Sequence, residues 1–206
     1  TNVIERRGCG VTGWSAGDTI SSLGLADAAG QEDTMEAALV VACDGARSMI
    51  AELVGLGRRE ERQRQTAIVT TLRAERPHEG TAFQRFLPTG PFALMPGPGD
   101  AGGYEMSLVW TLPNDTAQQL IAADNASFEA ACLEAFGSRL GYLALAGNRL
   151  AWPLQPAWRR RITAPNLVLA GDAAHSIHPL AGQGYNLALA DAAVLADLVV
   201  ATHRRG

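Results

Sequence analysis

Three stretches of this 206-residue chain hold residue types at spacings that could do chemistry. The longest is Gly171-Asp172-Ala173-Ala174-His175-Ser176-Ile177-His178-Pro179-Leu180-Ala181-Gly182-Gln183-Gly184-Tyr185-Asn186. An apolar run of strand length, residues 166–170, precedes it, and helical patterning from 182 to about 200 follows. Asp172, at a strand end, is placed to accept hydrogen bonds from ligand hydroxyls. Gly182 and Gly184 at a helix N-terminus would let backbone amides approach an anion, aided by the partial positive charge there. His175 and His178 are three apart in the loop, which without a third ligand does not make a metal site. No metal is expected.

The second stretch is Asp44-Gly45-Ala46-Arg47-Ser48, after the apolar run 37–42 and before helical spacing over 46–56. Gly45 permits a sharp turn and Asp44 can accept from backbone amides or sugar hydroxyls. Arg47 is spaced to meet Asp44 or a phosphate. Read alone, this stretch is equally a turn with a capping aspartate. The third, Gly8-Cys9-Gly10-Val11-Thr12-Gly13, matches G-x-G-x-x-G. That motif works only where a buried strand leads into it and a helix opens from it. Val3 to Arg7 is charged, and Trp14-Ser15-Ala16-Gly17-Asp18 does not start a helix, so a strand and turn are expected instead.

All 17 basic residues are Arg, so no P-loop lysine or Schiff-base lysine is available. The arginines cluster at 58–59, with 62 and 64 nearby, at 159–161 and at 204–205. These runs read either as biased composition, alongside 36 alanines, or as phosphate-binding groups. A net charge of -4 excludes a nucleic-acid binder that works by charge. Cys9, Cys43 and Cys132 are odd in number and widely spaced, which fits reduced thiols in a cytoplasmic protein. No apolar run reaches the length of a membrane span, and none is expected.

Positioning these residues requires buried strands over 37–42 and 166–170 and the long helix from 182. Between them, 67–72, 83–87, 92–95 and 106–110 read as consecutive strands, with Phe83 and Leu87 on one face and Gln84 and Phe86 on the other. Residues 114–136 read as two helices broken near Asp124-Asn125. Four strands in a row do not belong to a pure βαβ alternation, so the fold class is mixed α/β and α+β.

Taken together, Asp44-Gly45-x-Arg47-Ser48, Gly171-Asp172-Ala173-Ala174-His175 and Pro179-Leu180-Ala181-Gly182-Gln183-Gly184-x-Asn186 resemble the FAD-dependent aromatic hydroxylases. These are the group A flavin monooxygenases of the para-hydroxybenzoate hydroxylase fold, and the ubiquinone-biosynthesis branch is the most similar. The stretch from Phe83 to Pro96 resembles that branch too.

The resemblance implies an FAD-binding fold with an antiparallel substrate-domain sheet: a partial FAD-binding domain over 1–64 and 147–206, and a substrate-binding sheet with helices over 65–146. It implies FAD, with NAD(P)H as cosubstrate and O2, and an aromatic, lipid-linked polyprenyl phenol as substrate. Asp172 would hold the ribityl chain. Pro179, Ala181, Gly182, Gln183, Gly184 and Asn186, after Gly171, would lie along the isoalloxazine. Asp44, Gly45 and Arg47 would serve the pyrophosphate side and NAD(P)H use. No catalytic side chain is needed, because the cofactor carries the chemistry. Members of the family also hold the ADP half of FAD with a true G-x-G-x-x-G that has no match here. The chain is therefore expected to be a fragment that does not retain FAD or turn over alone, to self-associate through uncovered apolar edges, and to sit at most peripherally on a membrane. A non-catalytic binding module, and a related flavin reductase or halogenase, stay open as alternatives. Bound flavin separates the first from the rest, and phenol-stimulated NAD(P)H oxidation singles out the hydroxylase.

Overall fold

The computed structural model describes residues 3–60, 64–97, 102–178 and 182–205. The chain divides into two compact units, Thr1–Arg62 with Gln155–Gly206, and Gln63–Leu154. The first opens with an antiparallel meander, β1 (Cys9–Ser15), β2 (Ser21–Asp27) and β3 (Glu32–Ala37). β4 (Val40–Ala42), α1 (Met49–Leu53) and β5 (Arg58–Glu60) follow. The glycine-rich stretch 8–13 runs into β1, which pairs with β2 through a register shift between Val11 and Gly13. No helix opens after it, so its amides are sheet amides rather than a phosphate cradle.

The second unit is one six-stranded antiparallel sheet backed by two helices. Its elements are β6 (Gln65–Ala74), β7 (Phe83–Leu87), β8 (Gly90–Pro96), β9 (Glu105–Pro113), α2 (Asn114–Ala122), α3 (Asn125–Phe136), β10 (Leu143–Leu145) and β11 (Leu150–Pro153). The sheet order is β10-β6-β9-β8-β7, with β11 also on β6. Strand alternation sends Ile68, Leu72, Phe92, Leu94, Met106, Leu108, Trp110 and Leu112 to the helix side, where Phe128, Cys132 and Phe136 of α3 meet them. α2 ends at Ala122, and Asp124 starts α3: its carboxylate accepts from the Ser127 amide at 2.7 Å. Residues 147–154 were placed by sequence with the first unit. Pairing of Leu150–Pro153 with Thr66–Val69 joins them to the second.

The chain returns to the first unit as β12 (Ala157–Arg159), β13 (Thr163–Ala164), β14 (Leu167–Leu169), β15 (His175–Ser176) and α4 (Gln183–His203). β14 pairs with β4 in parallel, and β12 pairs antiparallel with both β5 and β15. Three expectations are corrected. The run 37–42 is not a strand buried on both faces: only Val40 and Ala42 are buried, while Leu39 and Val41 are each 41% exposed. β4 is an edge strand of its sheet, and the face that carries Val41 is left open. The helix expected over 46–56 spans only Met49–Leu53. Finally, α4 has the length and mean hydropathy, 1.5, of a membrane span, although none was expected. That statement rests on length and composition. Asp191 and Asp197 interrupt its apolar run, and Asp191 is tied to the strand-end turn below it.

Candidate functional site

β14 ends in a 3-10 turn, Gly171–Ala173, that puts Asp172 at its surface. Gly171 has φ +59°, and an added Cβ there would come within 3.3 Å of the Ala188 Cβ of α4. Glycine is thus needed twice, for the left-handed backbone and for the approach of the helix. The helix holds this turn through Asp191, whose Oδ2 accepts from the Gly171 amide at 2.8 Å and lies 3.0 Å from His175 Nε2. Asp191 is the residue that sequence reasoning missed. Its signal was available: a carboxylate two turns into an Ala- and Leu-rich helix.

α4 begins after Gly182, which has φ +66° and gives no side-chain cap, and no acidic residue stands in the first turn. Among the described residues no side chain caps its first amides, which stand at the positive end of a 21-residue helix. A cavity of about 480 Å³ lies there, lined by Asp172, Ile177, Gly182, Gly184, Tyr185 and Ala188. The Asp172 carboxylate has no partner among the described residues. His175 Nδ1 and His178 Nδ1 are buried without a partner, and burial holds the His178 imidazole below its usual range, hence neutral at pH 7. Gln183 and Asn186 are exposed on the first turn of α4. Pro179 and Ala181 lie outside the described residues.

A second, apolar cavity of about 790 Å³ runs between the open face of β4 and α4, with Leu39, Val41, Ala192, Leu195 and Val199 among its walls. Gly45, Gly171 and Asp172 also line it, so the structure brings these three predicted residues to one groove. Asp44 and Arg47 are arranged differently from the expected pair. One Asp44 oxygen accepts from the Ile50 amide at 3.2 Å, and Ser48 caps α1 through the Ala51 amide. Arg47 precedes the short helix, is exposed, and does not reach Asp44. Asp44 thus acts locally as a cap, the alternative its Asp-Gly turn had left open.

On the second unit, Phe83 and Leu87 pack on the core as alternation required. The opposite face of that sheet exposes Phe86, Met95, Leu150 and Trp152. Val69 and Trp152 approach the same face through the β6–β11 register.

A carboxylate without a partner among the described residues can accept hydrogen bonds from ligand hydroxyls, and it lies beside both the start of α4 and a long apolar groove. Residues 15–205 match the FAD binding domain family. The chain belongs to that family. It is 44% identical over 173 residues to ubiquinone hydroxylase UbiL of Rhodospirillum rubrum, covering 84% of this chain and 39% of that one. It is 35% identical over 169 residues to the 3-demethoxyubiquinol 3-hydroxylase of Escherichia coli, covering 82% and 42%. The chain thus spans about two fifths of the length of these curated relatives. Among solved structures, p-nitrophenol 4-monooxygenase PnpA from Pseudomonas putida superposes with a TM-score of 0.70 at 20% identity, over 96% of this chain and 49% of that one. Aklavinone-11 hydroxylase, solved with FAD and aklavinone, gives 0.66 at 22%, over 95% and 37%. These two establish the fold of this FAD binding domain, mixed α/β with antiparallel sheets.

Proposed function

We propose that this FAD binding domain is part of an FAD-dependent hydroxylase of a polyprenyl phenol in ubiquinone biosynthesis, using NAD(P)H and O2. The observation that carries the reading is the unpartnered Asp172 facing the uncapped start of α4, in a chain 44% identical to a ubiquinone hydroxylase. When bound, FAD would supply the redox chemistry that no side chain here offers. Asp172 would accept from its ribityl hydroxyls. The amides of Gly182, Gln183 and Gly184 would donate to the isoalloxazine edge and favour negative charge there, with Pro179, Ala181 and Asn186 completing that loop. Gly45 and Arg47 would serve the phosphate side, with Asp44 fixing the turn between them. Neutral His178 adds no competing charge. Phe86, Met95, Leu150 and Trp152 would offer a lipid-linked aromatic substrate an apolar surface. The apolar character of that face favours peripheral contact with a membrane, where such a substrate resides.

The test is flavin titration of the full-length protein that carries this chain. Asp172→Ala should weaken FAD binding by about 1–3 kcal/mol, as expected for a lost hydrogen-bonding charge. Equal dissociation constants in variant and parent would remove Asp172 from the site. NAD(P)H oxidation that a phenol does not stimulate would sink the hydroxylase reading.

A further inference from the structure

The two internal arginine runs are far apart in sequence, yet the fold sets them side by side. β5 and β12 pair antiparallel, with Arg58 opposite Arg159 and Arg59 opposite Trp158. Arg160 and Arg161 continue from the end of β12, so five arginines lie along this one two-stranded ladder and its exit. A cavity of about 330 Å³ opens there, lined by Gly55, Leu56, Gly57, Arg58, Arg59, Arg160 and Arg161. An added Cβ at Gly55 or Gly57 would meet nothing within 4 Å, so the backbone on that wall is open.

Two of the arginines build the site and the others are available to a ligand. Arg159 is 8% exposed; its Nε donates to the Ala173 carbonyl at 2.9 Å, and its Nη1 donates to the Leu56 carbonyl. It therefore fixes the cavity wall from behind. Arg58 donates to the Ala46 carbonyl at 2.9 Å and sits 3.5 Å from Glu60, but its Nε is buried without an acceptor. Arg59, Arg160 and Arg161 have no ion-pair partner among the described residues. Burial first, then the charge of Arg58, depresses the Arg159 guanidinium below its usual range. Glu52 and Asp44 oppose this only in part.

We propose that this cavity is a phosphate-binding site, separate from the groove of Asp172. Planar guanidinium forks match the oxygens of a phosphate, and several together bind it far better than one. The volume is at the low end of the roughly 300–1,000 Å³ of ligand cavities, which suits a phosphoryl or diphosphoryl group rather than an extended ligand. The source is either a soluble phosphate ester or the headgroup of an anionic lipid. The site does not depend on the flavin reading.

The test measures binding of inorganic pyrophosphate to the full chain by calorimetry at low salt. Arg59→Glu with Arg161→Glu is compared with Arg204→Glu with Arg205→Glu, which changes the charge equally at the end of α4. The first pair should weaken saturable binding by at least about tenfold, the effect of losing a charge-assisted hydrogen bond, and the second should leave it unchanged. Arg160→Gln is the milder variant if the first pair does not fold, and it should lower affinity in the same direction. Sedimentation with phosphatidylglycerol vesicles, against phosphatidylcholine vesicles, separates the two sources. Vesicle binding competed by pyrophosphate identifies a lipid headgroup; pyrophosphate binding without vesicle binding identifies a soluble ester. Absence of saturable pyrophosphate binding, or equal weakening by both pairs, overturns the proposal.

Discussion

Asp191→Ala isolates the clamp between α4 and the strand-end turn. The carboxylate accepts from the Gly171 amide at 2.8 Å and faces His175 at 3.0 Å, and the two side chains are 25% and 24% exposed. A hydrogen bond to a charged acceptor contributes about 1.5–3 kcal/mol. Solvent reaches a quarter of each side chain, which trims that contribution, and the loss is about 2 kcal/mol. In a unit of this size that lowers the melting midpoint by roughly 8 °C. Asp191→Asn keeps an oxygen for the Gly171 amide and should lose about half as much. Melting curves check the magnitude, and amide exchange checks the place: Gly171 should lose protection in Asp191→Ala while the β6–β9 ladder keeps it. In the full-length protein, flavin affinity should also fall, because Asp172 sits on the turn that Asp191 holds. Asp191 is a positioning residue, so Asp191→Asn should restore most of that affinity. Unchanged protection at Gly171 would refute the clamp.

Three other outcomes are expected. Gly90→Ala should destabilise the second unit by about 3–5 kcal/mol, since φ is +136° and an added Cβ would stand 2.4 Å from the buried Thr111 carbonyl; Gly80→Ala, at φ +71° in open space, should cost only about 1–2 kcal/mol, and equal losses in thermal melts would contradict the steric account. Burial pushes the Cys132 thiol up to about 12, so iodoacetamide at pH 8 should label exposed Cys43 and reach Cys132 only after unfolding, as mass spectrometry would read. The Ser127 amide, which Asp124 accepts from, holds that carboxyl below its usual range, so its contribution is present above about pH 4 and lost as pH falls through the lower folded value; the helicity gap between the parent and Asp124→Ala should close on acidification, and a gap that stays constant would deny the charged cap.

The second unit was largely legible because its signals are local. Alternation across Phe83–Leu87 and the helix break at Asp124-Asn125 each depend on neighbours a few residues away, and Phe86 faced outward as its parity required. The first unit was less so. Residues 37–42 read as fully buried because composition does not reveal that β4 lies at a sheet edge, where Leu39 and Val41 have no covering layer among the described residues. Arg47 looked like a partner of Asp44 at helical spacing, but α1 starts only at Met49, so that spacing was never helical. The apolar reading of α4 stopped short of membrane length because Asp191 and Asp197 break its run, although the helix continues through both.

What unites the first unit is a pair of strand ladders closed across the inserted second unit. Parallel pairing of Val40 with Leu167 and Ala42 with Leu169 sends both strands out at the same end of their sheet. Asp44-Gly45 and Gly171-Asp172 therefore emerge side by side, a juxtaposition that antiparallel pairing would forbid. The antiparallel ladder of β5 with β12 does the same for the arginines, and Arg159 links the two by bonding carbonyls of Leu56 and Ala173. Ala173 belongs to the turn that carries Asp172. The wall of the arginine cavity and the turn beside the apolar groove are thus tied to one buried guanidinium. Arg159→Met, which keeps the bulk and removes the donors, should loosen both at once: amide protection should fall together at residues 56–58 and 171–174. Loss at only one of the two would show that the ladders act independently and that the guanidinium only fills space.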